Sequence, residues 1–95
     1  MVPQEVTRDI ITKRLRRIEG QVRGVQKMVN EGRECENVIT QLVAVRSAID
    51  SVGALVLNNY MRLCFGDGPE DRDEAVRSLA KAIAIWGRVR VGEHQ

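Results

Sequence analysis

The 95-residue sequence has few of the residues that catalytic and metal sites commonly use. Its one histidine, His94, stands next to the last residue, and it has only two cysteines and three aromatic residues. It contains no CxxC pair, glycine-rich phosphate loop or Ser-His-Asp combination. We therefore predict that the protein is not an enzyme, and we expect no cofactor and no resident metal site.

Long apolar runs are also absent from the sequence. No stretch approaches the ~20 consecutive apolar residues of a membrane-spanning helix, and the first residues lack the charged-then-apolar pattern of a signal peptide. We therefore expect a cytoplasmic protein with no membrane partner. In that reducing compartment, two cysteines serve more often as catalytic, sensing or metal-binding thiols than as a permanent disulfide.

The length is that of one small domain, residues 1–95, with 43% apolar and 29% charged residues. Apolar residues recur at alternating spacings of three and four, which predicts an all-α fold of three helices. The first helix ends near Asn30, the second spans residues 35–64, and a shorter third begins near Glu70. A short link makes the first two helices an antiparallel hairpin. Residues 1–6 and 91–95 are expected to be flexible.

The two cysteines, Cys35 and Cys64, mark the ends of the predicted second helix. At ~1.5 Å per residue they lie roughly 43 Å apart, whereas a disulfide requires a Cα separation of about 5.5 Å. Two copies of the helix packed antiparallel would instead place Cys35 beside Cys64 of the partner subunit, twice per dimer. The helix start and Arg33 favour a thiolate at Cys35, whereas Glu34 and Glu36 oppose it. On this interpretation Cys35 is the attacking thiol and Cys64 is the candidate resolving thiol. Two buried structural cysteines are the alternative.

Basic residues are concentrated in the first helix, where residues 8–27 hold seven basic and two acidic side chains. Arg14, Arg17 and Gln21 form a stripe at helical spacing, and Arg46 on the second helix can extend it. Such a surface suits phosphate oxygens, and binding to it would weaken steeply with salt. A solvated charged face is the alternative.

Three segments of the sequence resemble the CsoR/RcnR/FrmR family of bacterial repressors. They are RLRRIEGQVRG at 14–24, Glu34-Cys35 before VITQ at 38–41, and AVRSA at 44–48. The resemblance covers roughly residues 9 to 90. It implies a three-helix subunit, an antiparallel dimer built on the second helix and usually a tetramer, which binds double-stranded operator DNA. It also implies which side chains contact DNA, namely Arg14, Arg17 and Arg46, with Gln21 as a further candidate.

Differences from the family pattern bear on the inducer. Copper sensors of the family have a cysteine at the position of Cys35 and, from the partner chain, a histidine and a cysteine one turn apart. Here Tyr60 stands at the histidine position, while Cys64 is kept. The tyrosine and acidic positions that support the copper site fall at Glu34 and Ala80. Two thiolates can hold Cu(I) linearly, but a trigonal site would lack its third donor.

Other sensor types of the family fit less well. Nickel and cobalt sensors need histidines near the N-terminus, and formaldehyde sensors use an N-terminal proline amine, whereas Pro3 here follows Val2. The remaining pattern resembles the persulfide-sensing CstR type. It implies a repressor that leaves its operator when a persulfide or polysulfide modifies Cys35 and cross-links it to Cys64 of the partner subunit. A Cu(I)-responsive repressor that uses the same two cysteines, and a non-sensing helical interaction module, remain open as alternatives.

Overall fold

The computed structural model describes residues 4–66 and 71–88, and these residues form helices and turns without any strand. The four helices are α1 (Gln4–Asn30), α2 (Cys35–Asn58), α3 (Tyr60–Phe65) and α4 (Arg72–Trp86). The predicted all-α class is confirmed. Helix α1 begins at Gln4, inside the segment predicted to be flexible, and residues 91–95 lie outside the described part.

A tight turn joins α1 to α2 and makes them antiparallel. Gly32 has φ +69°, a left-handed conformation that glycine adopts at low cost. Its backbone N–H donates to the Val29 carbonyl at 3.2 Å, and the Arg33 N–H donates to the Met28 carbonyl at 3.0 Å. This pair of bonds is a Schellman motif, which satisfies carbonyls at the end of α1 and directs the chain back along it. The predicted hairpin is thus present.

The core of the subunit is thin and runs along this hairpin. Ile18 of α1 and Val45 and Val52 of α2 are buried, and partly buried apolar side chains surround them. Much of the apolar surface of α2 has no cover within the subunit, because four large side chains are 44 to 59% exposed: Ile39, Leu42, Val43 and Ile49. A small domain gains stability when such a surface is covered by association.

In length and composition, helix α2 is more similar to a membrane-spanning helix than the sequence analysis predicted. By length and composition alone it is able to cross a membrane, because the polar residues within its apolar segment are mostly uncharged. The charged Arg46 and Asp50 near its middle make a poor fit to a lipid core. An apolar helix that lies in a protein core or interface has the same composition.

The prediction of one continuous helix over residues 35–64 is wrong. Asn59, at φ −113° and ψ 16°, leaves the helical conformation and ends α2, and α3 begins at the next residue. The Asn59 side chain donates from Nδ2 to the Leu55 carbonyl at 2.8 Å, a local bond that competes with helix continuation. The apolar spacing passes unchanged through this break, so periodicity did not reveal it. The described residues therefore form four helices, with the short α3 between α2 and the predicted last helix.

Close packing of α4 on α2 depends on Gly53. A methyl group at this position would overlap the Trp86 indole, whereas Gly24 of α1 has no atom within 4 Å of the corresponding point. We expect Gly24→Ala to raise the free energy of unfolding by about 0.5–1 kcal/mol through helix propensity. Gly53→Ala should instead lower it by about 1 kcal/mol, because the indole must move. Urea unfolding at one protein concentration measures both, and an equal gain in the two variants would contradict this packing.

Candidate functional site

A cleft between α1 and α2 brings together most of the predicted DNA contacts. Arg14, Arg17 and Gln21 line it from α1, and Ser51 lines it from α2, around a volume of about 360 Å³. The three α1 residues meet there because their spacings of three and four residues place them on one face of the helix. We call the cleft lined by these four residues the basic cleft.

The basic cleft contains unpaired polar groups. Lys13, Arg23 and Lys27 lie in ion pairs with acidic neighbours on or beside α1. Within residues 4–66 and 71–88, Arg14 and Arg17 have no such acidic partner. The Gln21 Oε1 atom is buried and accepts no hydrogen bond. The cleft therefore offers two free cationic groups and a polar atom whose hydrogen-bonding capacity is unused.

Arg46 does not line the basic cleft. It is exposed on α2, and its five-residue offset from Ser51 turns it about 140° around the helix axis. Arg46 is therefore not among the residues that line the cleft, and its role as a DNA contact stays a prediction. Ser51 takes the α2 side of the cleft, and sequence reasoning missed it because an isolated serine in an apolar helix carries no motif.

Both cysteines are free and exposed in the subunit, so neither is buried in its core. Cys35 is the first residue of α2, and Glu34 before it makes no side-chain capping bond. Cys64 lies in α3. An exposed thiol at the start of a helix can attack an external sulfur compound or coordinate a soft metal ion.

The two thiols lie at opposite ends of the hairpin. Cys35 follows the turn, and the 23 residue steps of α2 from there to Asn58 span roughly 35 Å. Beyond them, the Arg8 guanidinium donates from Nη2 to the Leu63 carbonyl at 2.8 Å, which fixes α3 beside the start of α1. The break at Asn59 thus leaves the geometric conclusion intact, and one subunit cannot form a bridge between its own cysteines.

Tyr60 stands one turn before Cys64, and its side chain contacts Ser78 and Phe65. Its hydroxyl shares a 2.7 Å hydrogen bond with Ser78 Oγ of α4. Its ring lies 6.4 Å from the Phe65 ring, centroid to centroid. A phenol oxygen is a poor ligand for Cu(I), which prefers sulfur and imidazole donors. Tyr60 therefore does not supply the third soft ligand that a trigonal Cu(I) site requires.

Comparison with known proteins gives the family. Residues 7–85 match the family model described as metal-sensitive transcriptional repressor. The chain is 39% identical to the copper-sensing transcriptional repressor CsoR of Bacillus subtilis (strain 168) over 74 residues, which cover 76% of this chain and 73% of CsoR. It is 38% identical to the copper-sensing transcriptional repressor RicR of Mycobacterium tuberculosis (strain ATCC 25618 / H37Rv) over 81 residues, 81% of this chain and 84% of RicR.

The family model covers α1 from Thr7 onwards, all of α2 and most of α4. The matched proteins are repressors and not enzymes, which confirms the prediction that the chain is not an enzyme. A helical interaction module without a regulatory role does not fit them. By the family model and by its identity to these two repressors, the chain belongs to the metal-sensitive transcriptional repressor family.

Proposed function

We propose that this repressor binds double-stranded operator DNA through the basic cleft and is released when a persulfide or polysulfide bridges Cys35 to Cys64 of the partner subunit. The observation that carries the proposal is the placement of two free, exposed thiols at opposite ends of one hairpin. They are too far apart to react within a subunit. In an antiparallel pair of α2 helices, Cys35 of one subunit would lie at the same end as Cys64 of the partner subunit.

The exposed apolar face of α2 supports a homodimer. A second copy packed antiparallel on it would cover the large apolar side chains that the subunit leaves in water. Two-fold symmetry then places each Cys35 near Cys64 of the partner subunit. Pairing of two such dimers would give the homotetramer that the family resemblance implies. The working compartment is the cytoplasm, where free thiols persist and DNA is accessible.

DNA binding is assigned to the basic cleft because Arg14 and Arg17 lie together there beside Gln21, and neither has an acidic partner among the described residues. Replacing Arg14 or Arg17 with Ala should weaken binding to duplex DNA and lower the slope of log affinity against log salt by about 1 for each phosphate that is no longer neutralised. Arg77→Ala, an exposed arginine on α4, is the matched control and should change neither quantity. Fluorescence anisotropy over a salt series measures both, and equal effects of the three substitutions would contradict the assignment.

The sulfur chemistry proceeds in two displacements. The Cys35 thiolate attacks a sulfur of the polysulfide and takes up one or more sulfur atoms, and a polysulfide shorter by those atoms leaves. The Cys64 thiolate of the partner subunit then attacks the next-to-last sulfur of the chain on Cys35, and the terminal sulfur departs as HS⁻ after taking a proton from water. The polysulfide is the oxidant, since its sulfur is reduced to sulfide while the two thiolates become a di- or polysulfide bridge.

A Cu(I)-responsive repressor is the second candidate, and the names of the two relatives favour it. In that case Cys35 and Cys64 of the partner subunit would hold the ion as two soft thiolate ligands. The hydrogen-bonded Tyr60 favours the sulfur chemistry, because it occupies the position where copper sensors of the family have a histidine.

Release from DNA distinguishes these candidates. Reduced protein is bound to a duplex that it has itself selected from a randomised pool, and sodium tetrasulfide or anaerobic Cu(I) is then added. We expect tetrasulfide to release the protein and dithiothreitol to restore binding, because the reductant cleaves the bridge. Release by Cu(I) with no response to tetrasulfide would contradict the proposed inducer.

A further inference from the structure

Helix α3, which carries Cys64, is attached to α2 through a single non-helical residue. Asn59 ends α2 and precedes α3, and α3 is only six residues long. A helix this short has little stability of its own, since most of its backbone groups lack partners within it. Its position is therefore set by what holds it from outside.

Contacts from α1 and α4 hold this short helix. Arg8 of α1 donates to the Leu63 carbonyl at 2.8 Å, in the last turn of α3, where helix carbonyls lack partners of their own. On the other side, the Tyr60 hydroxyl shares its bond with Ser78 of α4. The Arg8 bond ties α3 to the helix that carries the basic cleft.

We propose that Arg8 is a positioning residue, whose hydrogen bond to the Leu63 carbonyl couples the placement of Cys64 to the placement of the basic cleft. This inference rests on the proposed function for what modifies Cys64. Leu63 directly precedes Cys64, so a bridge that pulls on the thiol also moves the carbonyl that Arg8 holds. Arg14 lies six residues further along the same continuous helix, about 9 Å from Arg8 along its axis. A shift at Arg8 therefore moves the arginines of the cleft.

The coupling acts in both directions. If a bridge at Cys64 lowers the affinity of the cleft for DNA, bound DNA must resist bridge formation by the same factor. An arginine that serves only as a phosphate contact has a different signature. Its removal lowers DNA affinity equally before and after the thiol reacts.

The experiment compares Arg8→Met, which removes the donor, with Arg8→Lys, which keeps a charged donor. Arg23→Met is the matched control, because Arg23 is an exposed arginine of the same helix that pairs with Glu19 and not with α3. The first measurement is the rate of Cys64 alkylation by iodoacetamide in a Cys35→Ala background. It requires neither DNA nor an inducer. We expect a rate at least threefold higher for Arg8→Met, and rates near that of the parent for Arg8→Lys and Arg23→Met.

The second measurement is the affinity for the selected duplex before and after tetrasulfide, with both cysteines present. The decrease in affinity caused by tetrasulfide should be at least threefold smaller in Arg8→Met than in the parent, and Arg8→Lys should restore most of it. Unchanged alkylation in Arg8→Met would overturn the inference. So would an affinity ratio equal to that of Arg23→Met. If the parent itself fails to respond to tetrasulfide, the proposed inducer fails, while the alkylation rates still decide whether Arg8 holds α3.

Discussion

Cys35→Ala should abolish release from DNA by tetrasulfide while leaving the affinity of the reduced protein within about twofold of the parent. The thiol lies far from the DNA-binding residues, because α2 reaches the basic cleft at Ser51, about 24 Å along the helix from Cys35. Its removal therefore deletes the attacking group and little else. In the parent, bridging should weaken binding about 100-fold, close to 2.7 kcal/mol of coupling free energy. Anisotropy titrations with and without tetrasulfide measure both values.

Cys64→Ala separates attack from bridging. In this variant Cys35 still takes up sulfur, but no resolving thiol completes the bridge, so DNA should stay bound. A serine at either position serves as a second control, because it keeps the size and polarity of the side chain but does not form a sulfur bridge. Full release of either alanine variant by tetrasulfide would contradict a mechanism that needs both thiols.

The second large effect is expected from Tyr60→His. This substitution places an imidazole one turn before Cys64, where copper sensors of the family have their histidine, and so adds a third ligand of a type that Cu(I) accepts. We expect its Cu(I) affinity to exceed that of the parent by at least about tenfold, equal to 1.4 kcal/mol. Anaerobic competition with a chromophoric Cu(I) chelator measures the difference.

Tyr60→Phe is the control for Tyr60→His. It breaks the hydrogen bond to Ser78 without supplying a metal ligand, so its Cu(I) affinity should stay at the parent level. The comparison separates a ligand effect from a change in the position of α3. Equally tight Cu(I) binding by the parent and by Tyr60→His would show that the thiols form a complete copper site, and it would favour the copper-responsive candidate.

The hairpin was predictable because its signals are local. Apolar spacing determines the inward faces of α1 and α2, and Gly32 provides the left-handed residue that closes the turn. The clustering of Arg14, Arg17 and Gln21 also follows from helical spacing alone. For the same reason, the separation of the two cysteines remained valid even though the helix between them is interrupted.

The break at Asn59 and the α2 side of the basic cleft were not predictable in this way. The break depends on how one side chain bonds to the preceding turn, while the apolar stripe continues through it. Choosing between Arg46 and Ser51 for the α2 side of the cleft requires the rotation of α2 against α1, which sequence charge does not specify. The hydrogen bond from Arg8 to the Leu63 carbonyl joins residues 55 positions apart and has no signature in either segment.

The most direct test of bridging between subunits is the intact mass of the protein after exposure to sodium tetrasulfide, measured under denaturing, non-reducing conditions. We predict covalent dimers, including species heavier than a disulfide-linked dimer by whole sulfur atoms, which are absent from Cys35→Ala and Cys64→Ala and converted to monomer by dithiothreitol. Monomers that carry added sulfur without any covalent dimer would contradict the bridge between Cys35 and Cys64 of the partner subunit.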